Sequence, residues 1–112
     1  MVRDAAHESL LKAQRQRLHT RIVRVLEERF PTTVDAEPEL LARHCAEAGL
    51  GERGVDYWQC AGQRALARSA MAEAVVQLTK GLRTLEGLPS GPARQRRELD
   101  LQVALGSALI AP

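Results

Sequence analysis

The stretch ERGVDYWQCAGQRALARSAMAEAVVQLTKGLRTLEGL, residues 52–88, decides the fold of this chain. In its first half, apolar and small residues recur at steps of three and four, which places them on one face of a helix. These residues are Val55, Trp58, Ala61, Gly62 and Ala65. The second half repeats the pattern with Ala74, Val75, Leu78, Gly81, Leu82 and Leu85. A short break around residues 68–70 separates the halves, so the stretch predicts an antiparallel helical hairpin.

Small residues mark the place where the two helices are predicted to cross. A glycine inside a helix costs about 1 kcal/mol relative to alanine, so Gly62 and Gly81 indicate positions where a larger side chain does not fit. We expect the helix crossing to be formed by Trp58, Ala61, Gly62, Ala74, Leu78 and Gly81. At the end of the second helix, Gly87 is predicted to take the left-handed conformation, with Leu88 folding back and Pro89 blocking continuation.

This layout resembles a tetratricopeptide (TPR) unit. Such a unit has a bulky aromatic residue early in its first helix, small residues at the crossing, and an Ala-x3-large-x2-small element in its second helix. Here that element is Ala74, Leu78 and Gly81. The chain departs from the usual pattern at residues 61–62, which read Ala-Gly instead of Leu-Gly, and in its aliphatic second helix. The resemblance implies a fragment of an α-solenoid.

Composition narrows the class of protein. The chain has 112 residues, of which 45% are hydrophobic but only Phe30, Tyr57 and Trp58 are aromatic, as expected for a core of Leu, Ala and Val. The net charge of +2 gives no strong field for nucleic acid or an anionic membrane. We find no run that suits a membrane span or a signal peptide. Two cysteines do not make a disulfide framework, so we expect a cytoplasmic protein.

The rest of the chain also reads as helical. We predict helices over residues 1–11, 13–29, 38–48 and 93–110, with a polar loop at residues 32–37. Pro38 suits the first position of its helix, and Gly49 with Leu50 repeats the stop seen at Gly87 and Leu88. No strand pattern occurs. The predicted fold is therefore all-α, made of antiparallel, TPR-like helical hairpins with about five helices.

The last predicted helix changes character along its length. It begins with charged residues and becomes almost wholly apolar, whereas the closing helix of a solenoid normally has a polar outer face. Leu101, Leu105 and Leu109 lie at steps of four and form a predicted exposed stripe. Because an exposed apolar stripe favours association, we expect this surface to bind a partner or a second copy, for example by exchange of the terminal helix.

Several segments together resemble the region that follows the ATPase core in bacterial signalling ATPases of the STAND type. The resemblance is strongest to those coupled to class III adenylate/guanylate cyclase domains. It is carried by residues 2–12 (VRDAAHESLLK), 16–22 (QRLHTRI), 38–47 (PELLARHCAE), 48–50 (AGL), 57–69 (YWQCAGQRALARS), 72–78 (AEAVVQL) and 99–111 (LDLQVALGSALIA). His7 departs from the family pattern, which usually has Tyr at this position.

The resemblance implies a division of the chain into three parts. Residues 1–50 are expected to join an ATPase region to the repeats, residues 51–89 to form the TPR-like hairpin, and residues 90–112 to begin a further, truncated repeat. The Gly-rich Gly-Lys-Ser/Thr loop of an ATP site does not occur in the sequence. Any ATPase or cyclase activity of such a protein would therefore lie outside these residues.

Candidate sites for chemistry are weak. His19, His44, Cys45 and Cys60 are of types that bind zinc, but no Cys-x2-Cys or His-x3-His pair is present. Ser9, Ser69 and His7 suggest no set of nucleophile, base and orienting residue. Trp58 lies on the apolar stripe of its helix, which favours a core anchor over a ligand pocket. We therefore expect no catalytic residue, no metal site and no cofactor.

Two functional hypotheses from different classes remain. The favoured one is a non-enzymatic segment that makes or transmits protein contacts within a signalling ATPase or cyclase. The alternative is a regulator that binds nucleic acid through the arginine-rich helix at residues 13–29, which carries Arg15, Arg17, Arg21 and Arg24. Its apolar stripe serves packing, and Glu27 and Glu28 partly offset its charge. A solvated face or a contact with the ATPase region is therefore favoured over nucleic acid.

Overall fold

The computed structural model describes residues 2–110, and side chains from residue 5 onward. These residues form six helices and no strand. The helices are α1 (Val2–Arg29), α2 (Pro31–Ala36), α3 (Pro38–Ala48), α4 (Gly51–Ala67), α5 (Met71–Glu86) and α6 (Pro92–Ile110). The prediction of an all-α fold of helical hairpins is confirmed.

The helices stack in chain order. α3 packs on α1, α4 on α3, α5 on α4, and α6 on α5, while the short α2 bridges α1 and α3. The result is an elongated array with extents of 54 × 33 × 25 Å. Short connections make successive long helices antiparallel. In such an array a helix in the middle has two neighbours, and a helix at either end has one.

The N-terminal part is one helix where the sequence predicted two. α1 runs without interruption through Leu11, Lys12 and Ala13. These three residues are strong helix formers, and no glycine or proline occurs before residue 30 to break the helix. The predicted boundary at residue 12 is therefore wrong, because a change in the apolar pattern does not by itself end a helix.

The predicted loop at residues 32–37 is also wrong. Residues 31–36 form α2, which starts with Pro31 in its first turn. Proline is favoured at that position because its fixed φ suits the helix and its missing N–H group needs no partner there. The backbone N–H of Glu37 donates to the carbonyl of Thr33 at 2.8 Å and closes the turn. Pro38 then begins α3 as predicted.

Helix ends follow the predicted pattern at one glycine but not at the other. Gly49 is left-handed with φ 76°, and the Leu50 N–H donates to the Cys45 carbonyl at 2.9 Å, which is a Schellman ending. Gly87, in contrast, has φ −82°, so its predicted left-handed conformation is wrong. There the chain leaves through a tighter turn, in which the Leu88 N–H donates to the Leu85 carbonyl at 3.0 Å.

The apolar core has two parts. The larger part lies between α4, α5 and α6 and contains Val55, Ala65, Ala74, Leu78, Leu85, Leu101 and Ala108. The smaller part lies between α1 and α3 and contains Val23, Leu41 and Cys45, with Leu26, Leu50 and Tyr57 packed against it. α4 contributes to both parts, so it is covered on two sides.

Candidate functional site

The crossing of α4 and α5 is tightly packed. All six residues predicted for it, Trp58, Ala61, Gly62, Ala74, Leu78 and Gly81, are buried. A methyl group added at Gly62 would fall 2.6 Å from Cγ of Leu78, closer than real carbon atoms approach. At Gly81 it would lie 3.2 Å from Cβ of Trp58 and 3.6 Å from the side chain of Leu101. The glycines therefore allow the backbones to come close.

Trp58 is a core anchor and not the wall of a ligand pocket. Its side chain is only 5% exposed. Lys80 Nζ lies 5.1 Å from the centre of its ring, within range of a cation–π interaction. This contact joins α4 to α5 at the edge of the crossing, so it adds to the hairpin and leaves no face of the ring for a ligand.

The stripe predicted on α6 is only partly exposed. Leu101 is fully buried in the core between α4, α5 and α6, so its assignment to an exposed partner surface is wrong. The reason is that α6 packs on α5 through the face that carries Leu101. Leu105 is half-buried against the same core, and Leu109 is exposed. The predicted stripe thus runs from the packed face to the side of the helix.

A different apolar face of α6 points away from α5. It carries Leu99, Val103 and Ile110 at steps of four and seven, and Val103 is 63% and Ile110 83% exposed. Gly106 lies among them, and a methyl group added there would meet no atom within 4 Å. We call these four residues the α6 outer face. The sequence carried the signal for this face, because the second half of α6 is apolar all round.

A second exposed surface lies on α1. Leu11, Leu18 and Val25 are exposed on the side away from α3. On the neighbouring side of the helix, Arg17 and Arg21 line an open depression of about 500 Å³ with Arg24, Gln16, Thr20, Ala13 and Ala48. Among the described residues no ion pair engages these arginines, whereas Arg15 lies 3.9 Å from a carboxylate oxygen of Glu47.

Two histidines meet between α1 and α3. Nδ1 of His19 lies 2.8 Å from Nδ1 of His44, and the rings are tilted by 32°. Burial lowers the pKa of His44, and nearby His19 lowers it further, while Glu47 acts in the opposite direction. In residues 2–110 no group of three or more His, Cys, Asp or Glu side chains is placed to hold a metal ion. The pair therefore joins two helices through a hydrogen bond.

Glu27 connects α1 to α4. Its Oε2 accepts a hydrogen bond from the Tyr57 hydroxyl, and its Oε1 lies 2.9 Å from an Nη of Arg53. Burial and this hydrogen bond raise the pKa of Tyr57. Burial, together with the charge of Glu27, also raises the pKa of the nearby Cys45 thiol to about 11. A buried thiol that stays protonated is a poor nucleophile, so this cluster serves structure.

The two cysteines are both free thiols; Cys45 is buried and Cys60 exposed. Ser9, Ser69 and His7, which the sequence gave no catalytic pattern, lie on exposed parts of the surface. None of the helices described here has the length and apolar character needed to cross a membrane. What the described residues offer chemically is packing surface and charge.

Comparison with known proteins gives one relative. The chain is 28% identical over 110 residues to an uncharacterized protein of Rhizobium meliloti (strain 1021). The aligned part is 98% of this chain but 11% of that protein, so the chain spans about a ninth of its relative. No protein-family model matches the chain, and no solved structure matches it.

Proposed function

We propose that this chain is a non-catalytic helical-repeat segment that binds protein in the cytoplasm, as part of a bacterial signalling ATPase or adenylate/guanylate cyclase. The observation that carries the proposal is the α6 outer face, an apolar surface at one end of a stack of helices. The mechanism is packing. A further helix, from the same protein or from a partner, covers this face as α5 covers the opposite face of α6.

The comparison between α4 and α6 supports this interpretation. α4 is covered by α3 and α5, and close contact on the α5 side depends on Gly62. The α6 outer face has the same kind of composition, with large apolar residues around Gly106. A glycine inside a helix is unfavourable, so its presence there favours a position where another backbone comes close. Contiguous exposed apolar residues of this kind mark interaction sites.

The setting of the segment rests on two further observations. The relative is a much longer protein, of which this chain spans 11%. The sequence also resembles the region after the ATPase core in STAND-type proteins, and within it no Gly-Lys-Ser/Thr loop occurs. In this proposal ATP binding and cyclase chemistry belong to other regions of the parent protein. The segment between residues 1 and 50 faces the ATPase region, and the α6 outer face receives the next repeat.

Light scattering on the isolated chain tests the proposed role of α6. At high micromolar concentration, two copies are expected to cover each other's α6 outer faces and form a dimer. Val103→Lys, which places a charge in the centre of that face, is expected to give a monomer. Val76→Lys is the matched control, because Val76 is also an exposed valine, on α5. A monomeric parent chain, or equal effects of both substitutions, would contradict the proposal.

Calorimetric titration with ATP tests the non-catalytic part of the proposal. The isolated chain is expected to give no binding heat, with or without magnesium, because it has no phosphate-binding loop. Saturable binding of ATP would show that these residues contribute to a nucleotide site. That result would replace the proposal with an enzymatic role, whatever the light scattering gives.

A further inference from the structure

The outer surface of α1 carries an apolar stripe that no other described helix covers. Leu11, Leu18 and Val25 follow each other at steps of seven, so they lie along one side of the helix with little drift. All three are exposed, Leu18 to 56%. The opposite side of α1 packs on α3 through Val23 and His19. The stripe therefore contributes nothing to the core of this chain.

An unpaired basic stripe runs beside the apolar one. Arg17, Arg21 and Arg24 occupy successive turns of α1 and line the same open depression. Leu18 lies against this basic stripe, because it lines a second, smaller depression with Gln14, Arg17 and Arg21. Within the described part of the chain these arginines have no carboxylate partner. Glu27, which lies close in sequence, is already engaged by Arg53 and Tyr57.

The combination selects the chemistry of a partner. Leucine-type residues every seventh position form a seam for another helix, and polar residues between them, here Gln14 and Arg21, set its register. Arginines along the flank of such a seam pair with acidic residues of the partner and guide its orientation. Nucleic acid satisfies the arginines but leaves Leu11, Leu18 and Val25 uncovered. A membrane surface takes up a broad apolar face, whereas this stripe is narrow and interrupted by Arg21.

We propose that the outer surface of α1 binds an amphipathic helix that has leucine-type residues at heptad spacing and Asp or Glu along the flank facing Arg17, Arg21 and Arg24. This surface is separate from the α6 outer face, and the proposal does not depend on what covers α6. It assigns the two ends of the array to two different partners, one apolar and one both apolar and acidic.

Fluorescence anisotropy with a labelled synthetic peptide tests this proposal on the full chain. The probe is a three-heptad helix with Leu at every seventh position, Ala at the other seam positions and Glu on one flank. Arg17→Glu combined with Arg21→Glu is expected to weaken binding at least about tenfold. The same double variant is expected to gain binding to a second peptide in which Lys replaces Glu. This exchange of preference cannot come from unfolding.

The control variant is Arg43→Glu, since Arg43 is an exposed arginine on α3. It is expected to leave binding of the acidic peptide unchanged. Leu18→Ser is expected to weaken binding of the acidic peptide about tenfold while helicity by circular dichroism is retained. The loss from Leu18→Ser separates a helix partner from a ligand that recognises charge alone.

Two other probes decide against the proposal if they bind better. A short DNA duplex that binds more tightly than the acidic peptide, and ignores Leu18→Ser, would assign the surface to nucleic acid. Stronger binding to phosphatidylserine vesicles than to the peptide would assign it to a membrane surface. No binding of the acidic peptide, or equal losses from Arg43→Glu and the double variant, would also overturn the proposal.

Discussion

The α4–α5 hairpin and helix α6 are built from the same kinds of residues, yet their surroundings differ. In the hairpin, Gly62 and Gly81 lie where a neighbouring side chain leaves no room for a methyl group. In α6, Gly106 lies among exposed apolar side chains with open space beside it. The difference teaches that the composition of a helix tells how many of its faces are to be covered, while the fold of this segment supplies a cover for only some of them.

The same contrast appears at the other end of the array. α1 packs on α3 with one side and exposes Leu11, Leu18 and Val25 on the other. The interior of the array is therefore specified by close packing within the chain, and its two ends carry surfaces that suit partners. The predictions below compare a residue of the interior with a chemically matched residue of an end, in order of decreasing effect.

The largest expected effect distinguishes the two sides of α6. Leu101→Ala is expected to lower the free energy of unfolding by about 3 kcal/mol, because a fully buried leucine leaves a cavity. Leu109→Ala is expected to change it by less than about 0.5 kcal/mol, because Leu109 is 65% exposed. Urea denaturation at a concentration where the chain is monomeric measures both values. Equal effects would mean that α6 does not pack as described.

The two glycines give the next comparison. Gly62→Ala is expected to destabilise the chain by about 2 kcal/mol, because the new methyl group overlaps Leu78, which is itself fully buried and has no room to move. Gly106→Ala is expected to stabilise it by up to about 1 kcal/mol through helix propensity. Thermal denaturation of the two variants gives opposite signs in this account. A stabilising Gly62→Ala would refute the close crossing of α4 and α5.

A buried amide in α5 gives a smaller effect. Gln77 is 7% exposed, and its Oε1 has no hydrogen-bond partner. An unsatisfied buried polar group is unfavourable, so Gln77→Leu is expected to raise the free energy of unfolding by about 1 kcal/mol. Gln63→Leu, at an exposed position of α4, is the control and is expected to have little effect. If Gln77→Leu is destabilising, the amide makes a contact that matters.

The smallest effect concerns pH and the contact of α1 with α3. Burial and His19 lower the pKa of His44 below the ordinary value of 6.5, so below that pH the unfolded chain binds a proton more readily than the folded chain. Stability is therefore expected to be complete above pH 6.5 and to fall as the pH drops toward the lowered pKa of His44. His44→Gln is expected to reduce this acid-dependent loss, and His7→Gln, at an exposed position, to leave it unchanged. Urea titrations across this range provide the test.

Local patterns in the sequence predicted the fold well. The apolar periodicity located α3, α4, α5 and α6 nearly residue by residue, and the six crossing residues were all found buried. The errors came where a local pattern has two outcomes. Leu11, Lys12 and Ala13 continue a helix as readily as they end one, and Gly87 is followed by Pro89, which suits more than one type of turn.

The candidate surfaces were harder to predict, because they depend on which face of a helix is packed. Leu101 and Val103 look equivalent in the sequence of an apolar helix, and only the packing of α5 against α6 buries the first and exposes the second. The pairing of His19 with His44 and of Glu27 with Tyr57 joins residues 25 and 30 positions apart. No local rule predicts such pairs. A left-handed Ser69 at the hairpin turn, φ 61°, was likewise invisible, since glycine is the usual residue there.

Hydrogen exchange of backbone amides, measured in dilute and in concentrated solution, tests the central claim most directly. Protection reports local opening, which is easier for a helix held on one side than for a helix held on two. The account predicts that α4 and α5 are strongly protected in both solutions, while α6 exchanges faster when dilute and becomes protected when concentrated. If α6 is as protected as α4 in the dilute monomer and does not change, its outer face needs no partner and the account is contradicted.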